Sequence, residues 1–122
     1  MPQIERDEGR ENRIHDEVIV DAYGAEEQAM GWYYYLAESM NFPFEARCVR
    51  EMRKSPLRLN EIITVTDMIS DEGSAEMLVE ITLNGRTQGV PLEQIEPLDT
   101  DSLTRQVIED WHYWISRGYE FG

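Results

Sequence analysis

The chain has 122 residues, with 25 acidic and 11 basic side chains and a formal net charge of −14. That excess of carboxylate argues against nucleic acid and anionic membrane as partners, since both require a surplus of Lys and Arg. It leaves metal cations, a basic protein face or plain solvent as what the acid meets. An apolar fraction of 41% suits one folded domain over residues 1–122 with a modest core, and the order of elements below makes it α+β. The sequence shows no apolar run of spanning length and no signal-like start, and its one cysteine, Cys48, fits a reducing cytoplasm.

Residues 1–10 are mostly charged and are expected to be disordered. The stretch ENRIHDEVIVDAY at 11–23 predicts a helix to about Val20, broken at Gly24. A second helix follows. Glu26 and Glu27 lie in its first turn, where carboxylates suit the positive end of the helix dipole. Ala25, Ala29, Trp32, Leu36 and Met40 recur at spacings of three and four, which marks one apolar face. Pro43 disfavours helix at the residue before it, so the end is expected near Met40.

The period then changes. Residues 61–66 (EIITVT) are β-branched, and Met77, Val79, Ile81 and Leu83 alternate with their neighbours, so both segments read as strands. Asn84-Gly85 is a hairpin signal, because a type I′ turn needs positive φ at both positions. Thr87 to Val90 form the return strand. Residues 90–96 read as a tight turn into a last short strand, and Ala46 to Arg50 offer another. Such short strands suggest a small SH3-like antiparallel β-barrel between N-terminal helices and a C-terminal helix. That last helix, 102–117, carries Leu103, Val107, Trp111, Trp114 and Ile115 on one face. Asp99, Thr100 and Asp101 offer its N-cap and Gly118 its stop.

The aromatic cluster GWYYYLAESMNFPF at 31–44 and the face bearing Trp111 read foremost as core, since each large ring buries about 150–250 Å². A stacking platform or a cage for a methylated cation is the alternative. His15, Cys48 and His112 fit no zinc spacing, and the chain holds no nucleophile motif, phosphate loop or H-E-x-x-H, so no enzyme is expected. Arg47, Arg50, Arg53, Lys54 and Arg58 are expected to pair with the protein's own carboxylates.

Calcium takes about 6–8 oxygen ligands, mixing carboxylates with amide and backbone carbonyls, and loops supply such carbonyls. Two stretches read as acidic loops: 67–76, with Asp71, Glu72 and Glu76, and 93–101, with Glu96, Asp99 and Asp101. Neither is an EF-hand. Asp99-x-Asp101 starts such a pattern, but Leu103 stands where an oxygen is needed and Thr104 where the turn glycine belongs.

The motifs EVIVDAY at 17–23, EEQAMGWYYYL at 26–36, FPF at 42–44, Cys48, SPL at 55–57, VPL at 90–92, EDWHYW at 109–114 and GYEF at 118–121 span almost the whole chain. In them the sequence resembles the CcbP-type calcium-binding family, small acidic bacterial proteins without an EF-hand. The resemblance implies a compact α+β protein with an SH3-like β portion that binds Ca2+ as an intracellular buffer or sensor. It also implies ligands near the end of the aromatic helix and in acidic loops. Near that helix end only Glu38 is acidic, with Ser39 and Asn41 as further oxygen donors. The expected metal ligands are therefore Glu38, Asn41, Asp71, Glu72, Glu76, Asp99 and Asp101. A second class stays open: an acidic interaction module that docks a basic protein partner or mimics nucleic acid.

Overall fold

The computed structural model describes residues 7–20, 22, 24–53, 55–69 and 76–117. Helix α1, Glu8–Arg13, starts at Asp7, whose carboxylate accepts from the Arg10 amide at 3.0 Å. Residues 7–10 thus belong to a capped helix, which corrects the expectation of disorder there; residues 1–6 lie outside the described set. The expected continuous helix to Val20 becomes a π-helical turn, Ile14–Val18, with Ile14 and Val18 buried. Its carbonyls press on the next helix. A Cβ at Gly31 would sit 2.2 Å from the Val18 carbonyl oxygen, so only glycine permits this approach.

Helix α2, Ala25–Ser39, buries Trp32 and Leu36 as the spacing predicts, and Met40 caps it in extended backbone and is also buried. Ala29 packs on the core from a half-buried position, while Ala25 is exposed. The strands are β1 (Phe44–Cys48), β2 (Ile62–Met68), β3 (Leu78–Leu83), β4 (Arg86–Pro91) and β5 (Ile95–Asp99). Asn84 and Gly85 take φ of 53° and 77°, the turn that Asn-Gly predicts. A 3-10 turn, Leu92–Gln94, follows Pro91, and helix α3 spans Ser102–Ser116.

All pairings are antiparallel, in the order β4-β3-β2-β1-β5. The α+β class holds, but the SH3-like barrel gives way to an open sheet. Among the described residues β4 and β5 stand at opposite edges without pairing. Closure is not needed to bury the inner face, because α2 packs on β2, α3 packs on β5 and the 3-10 turn, and α2 packs on α3. The apolar side chains of sheet and helices merge into one buried cluster.

Trp32 sits at its centre with no exposed surface, 5.0 Å from Trp111 and 5.6 Å from Trp114 between ring centroids. Such pairs add about 0.5–1.5 kcal/mol each beyond their burial. Trp32 and Trp111 are therefore scaffold, with no face left for a base or a cation. Leu103, expected on the inner face of α3, is 48% exposed, and Ile108 takes a buried place instead. Among the described residues, no helix is long and apolar enough to cross a membrane.

Candidate calcium site

Strand direction gathers the candidate ligands at one end of the sheet. Phe44 opposes Val65, and Met68 opposes Val79, so β1 begins where β2 ends and β3 begins. Glu45 opposes Asp99, which brings the end of β5 to the same edge. Helix α2 delivers the chain to β1 here, and α3 leaves here after β5. Glu38, Asn41, Glu76, Asp99 and Asp101 all flank this end. Asp71 and Glu72 lie outside the described residues, on the connection between β2 and β3.

The best-defined part of the site joins Asn41, Asp101 and Thr104. Asp101 caps α3: one carboxylate oxygen accepts from the Thr104 amide at 3.0 Å, the other from the Thr104 hydroxyl at 2.6 Å. Thr104 Oγ1 in turn accepts from the Asn41 amide at 2.9 Å, tying the exit of α2 to the first turn of α3. The Thr104 hydroxyl, then the Thr104 amide and the Asn41 side chain, hold the Asp101 carboxyl far below its ordinary 3.8. Asp101 is exposed, so it offers a fixed, ionised carboxylate to solvent. Thr100 Oγ1 adds a contact to the same oxygen at 3.3 Å.

Beside it, Glu45 pairs with Asp99 where the β1–β5 register shifts at a bulge, and both are exposed. Like charges paired across neighbouring strands repel. Glu38 is exposed one turn back along α2, and Glu76 is exposed just before β3. Among the described residues, no three His, Cys, Asp or Glu side chains converge closely enough to hold a metal ion. Asp101 and Asn41 are thus brought together, while Glu38, Glu76 and Asp99 share their end of the molecule without closing on one point. Carboxylate and amide oxygens open to water fit a hard cation such as calcium.

Two features differ from the sequence reading. The stretch 93–101 is not a loop: it is a 3-10 turn and strand β5, and Glu96 pairs with Arg47 and Glu93 with Arg50 at 3.6 Å. Several of its backbone carbonyls are taken: Gln94 by the Val49 amide, Ile95 by the His112 ring, Leu98 by the Arg105 guanidinium and Asp101 by the Arg105 amide. Likewise Asp67 belongs to β2, where its carboxylate accepts from the Met68 amide at 2.8 Å. Glu45 falls outside the strand expected from Ala46, because β1 starts at Phe44; the alternation from buried Phe44 to exposed Glu45 is the signal that marks it.

Elsewhere His112 and Cys48 make contacts within the fold. His112 Nε2 donates to the Ile95 carbonyl at 2.7 Å, and burial pushes its pKa down. Cys48 is buried, with its sulfur 3.3 Å from the Arg50 carbonyl oxygen. His15 is exposed. No catalytic arrangement joins them.

Comparison with known proteins agrees with the resemblance read from the sequence. The model of the CcbP family, described as calcium binding, matches residues 12–115. The chain belongs to the CcbP calcium-binding family. It is similar to the crystal structure of Anabaena CcbP, at 41% identity and a TM-score of 0.86, covering 99% of this chain and 100% of that one. It is also similar to a calcium binding protein in the calcium-binding form, at 41% identity and a TM-score of 0.81, with the same coverage. No curated protein matches the sequence. As in the rest of this CcbP-family chain, the match extends through α2, the sheet and α3, the elements that frame the site.

Proposed function

We propose that this protein binds calcium at the sheet end framed by the exit of α2, the end of β5 and the cap of α3. Asp101 and Asn41 are the nucleus of the site, with Asp99, Glu45 and Glu38 as neighbouring donors, and with Glu76, Asp71 and Glu72 on the β2–β3 connection. The observation that carries this reading is the Asp101 carboxylate, fixed and ionised in solvent beside Glu45 and Asp99, paired across β1 and β5. Repulsion there is relieved when a divalent cation draws the oxygens together. Family membership and the likeness to a protein in its calcium-binding form support it.

The protein acts as an intracellular calcium buffer or sensor, as one domain and not as an enzyme. The single buried thiol suits the cytoplasm. Calorimetric titration of chelator-stripped protein, with magnesium as control, tests the binding. Saturable calcium binding near about micromolar levels that survives excess magnesium supports the site. Unsaturable uptake matched by magnesium leaves only an acidic surface and rejects it. Amide spectra with and without calcium separate the two roles: a sensor changes shape across its elements, whereas a buffer changes only around the ligands.

A further inference from the structure

Glu26, Glu27, Met30, Tyr34 and Glu38 are all exposed on α2. Glu26, Met30, Tyr34 and Glu38 recur at steps of four, which on an α-helix places them in one stripe. The centre of the stripe is apolar and its ends are carboxylate. Met30 and Tyr34 each leave 52% of their surface in solvent. The Tyr34 ring is braced by Tyr33, with centroids 5.5 Å apart and planes at 72°, and Tyr33 itself packs on the core. A braced tyrosine loses little freedom on contact, and tyrosine is enriched among interface residues that carry binding energy.

Charge decides what can cover this stripe. A second copy laid antiparallel sets Glu26 and Glu27 of one chain against Glu38 of the other, in molecules of net charge −14. An anionic lipid surface is repelled by the same charge. The complement is a segment apolar in its middle and cationic at both ends. The stripe is about 18 Å long at 1.5 Å per residue, a match for a short helix.

We propose that the outer stripe of α2 docks a basic amphipathic helix of a partner protein. The partner's apolar side chains cover Met30 and Tyr34, and its Lys or Arg residues meet Glu26 and Glu38. Glu38 is shared with the calcium reading, but Met30 and Tyr34, the apolar centre of the stripe, take no part in the candidate site, so the two readings can fail separately.

A synthetic Leu–Lys amphipathic helix is the probe, and a Lys–Ser peptide of equal charge and length is the control. Both are titrated calorimetrically, with and without calcium, against the full chain, the double variant Met30→Ser with Tyr34→Ser, and Ile62→Ser. Ile62 is an exposed residue of β2 and serves as the comparison. The expected result is saturable one-to-one binding of the Leu–Lys peptide, weakened about tenfold or more by the double variant. Ile62→Ser leaves it unchanged, and calcium binding is the same in the double variant as in the full chain. Equal affinity for the Lys–Ser peptide, or equal affinity of the double variant, overturns the proposal in favour of diffuse attraction. Dimerisation of the full chain that the double variant abolishes overturns it in favour of a second copy.

Discussion

Helix α3 carries two aspartates with opposite fates. At its interior, Asp110 has no exposed surface, and Arg10, Arg13 and Tyr35 surround it. Arg10 reaches it at 2.7 Å, Arg13 binds it through two nitrogens at 2.9 and 2.7 Å, and the Tyr35 hydroxyl donates at 2.7 Å. At the N-terminus of the same helix, Asp101 is exposed and its partners are uncharged: Thr104, Thr100 and Asn41. Both carboxylates are fixed in place, but only the first has cationic side chains bound to it. A carboxylate satisfied by neutral donors keeps its full charge on the surface, whereas one satisfied by two guanidinium groups presents none. The difference separates a carboxylate that holds the N-terminal helix to the fold from one that can meet a cation.

The largest test of this contrast is Asp110→Ala. It strands two largely buried arginines, and breaking such a pair costs about 3–5 kcal/mol. Thermal or denaturant unfolding should show a large loss of stability that Asp101→Asn does not share. A loss at Asp110 no bigger than that of a surface change would reject the buried network as a stabilising contact. Next comes Gly31→Ala. Its methyl group meets the Val18 carbonyl and must push the π-helical turn off α2, at about 1–3 kcal/mol of stability by the same measurement.

Asp101→Asn sharpens the other side. Asparagine caps a helix about as well as aspartate, so stability should stay within about 0.5 kcal/mol. Calcium affinity should fall about tenfold, close to 1.4 kcal/mol, because a charged ligand is lost while the cap is kept. Calorimetry of the variant beside the unaltered chain reads both quantities, and unchanged calcium affinity would remove Asp101 from the site.

The smallest effects are in pH. Burial, and then the bond to Asp110, push the Tyr35 phenol from 10.0 up to about 12. The folded form therefore holds its proton where the unfolded chain has lost it. That stability is fully present below pH 10.0 and declines as pH rises toward about 12. Tyr35→Phe should flatten the alkaline limb of an unfolding series. The His112 imidazole, pushed down by burial, has the opposite sense: its contribution is present above 6.5 and declines as pH falls below that value. Asp101, held below 3.8, keeps its charge in acid where an ordinary aspartate begins to lose it, and its contribution declines as pH falls below 3.8. Acid unfolding of Asp101→Asn beside the unaltered chain reads this: the variant should lose less stability as pH falls below 3.8.

Periodicity alone determined α2, α3, the Asn-Gly hairpin and the α+β class. Those features depend on local rules: apolar side chains at helical or alternating spacing, and φ preferences at a turn. It also separated the scaffold aromatics from the acid, and the aromatic motifs gave the family. Only the tertiary structure decided that the sheet stays open, because helices α2 and α3 cover the face that a closing strand would otherwise have to bury. It alone decided which carboxylates are neutralised. Asp101 and Asp110 are the same residue type on one helix, and nothing local tells them apart. Arg10 and Arg13 reach Asp110 across nearly the length of the chain, and Asn41 reaches Asp101 and Thr104 from another helix. Such pairings follow from how distant segments pack, so sequence spacing named the candidates while the fold chose among them.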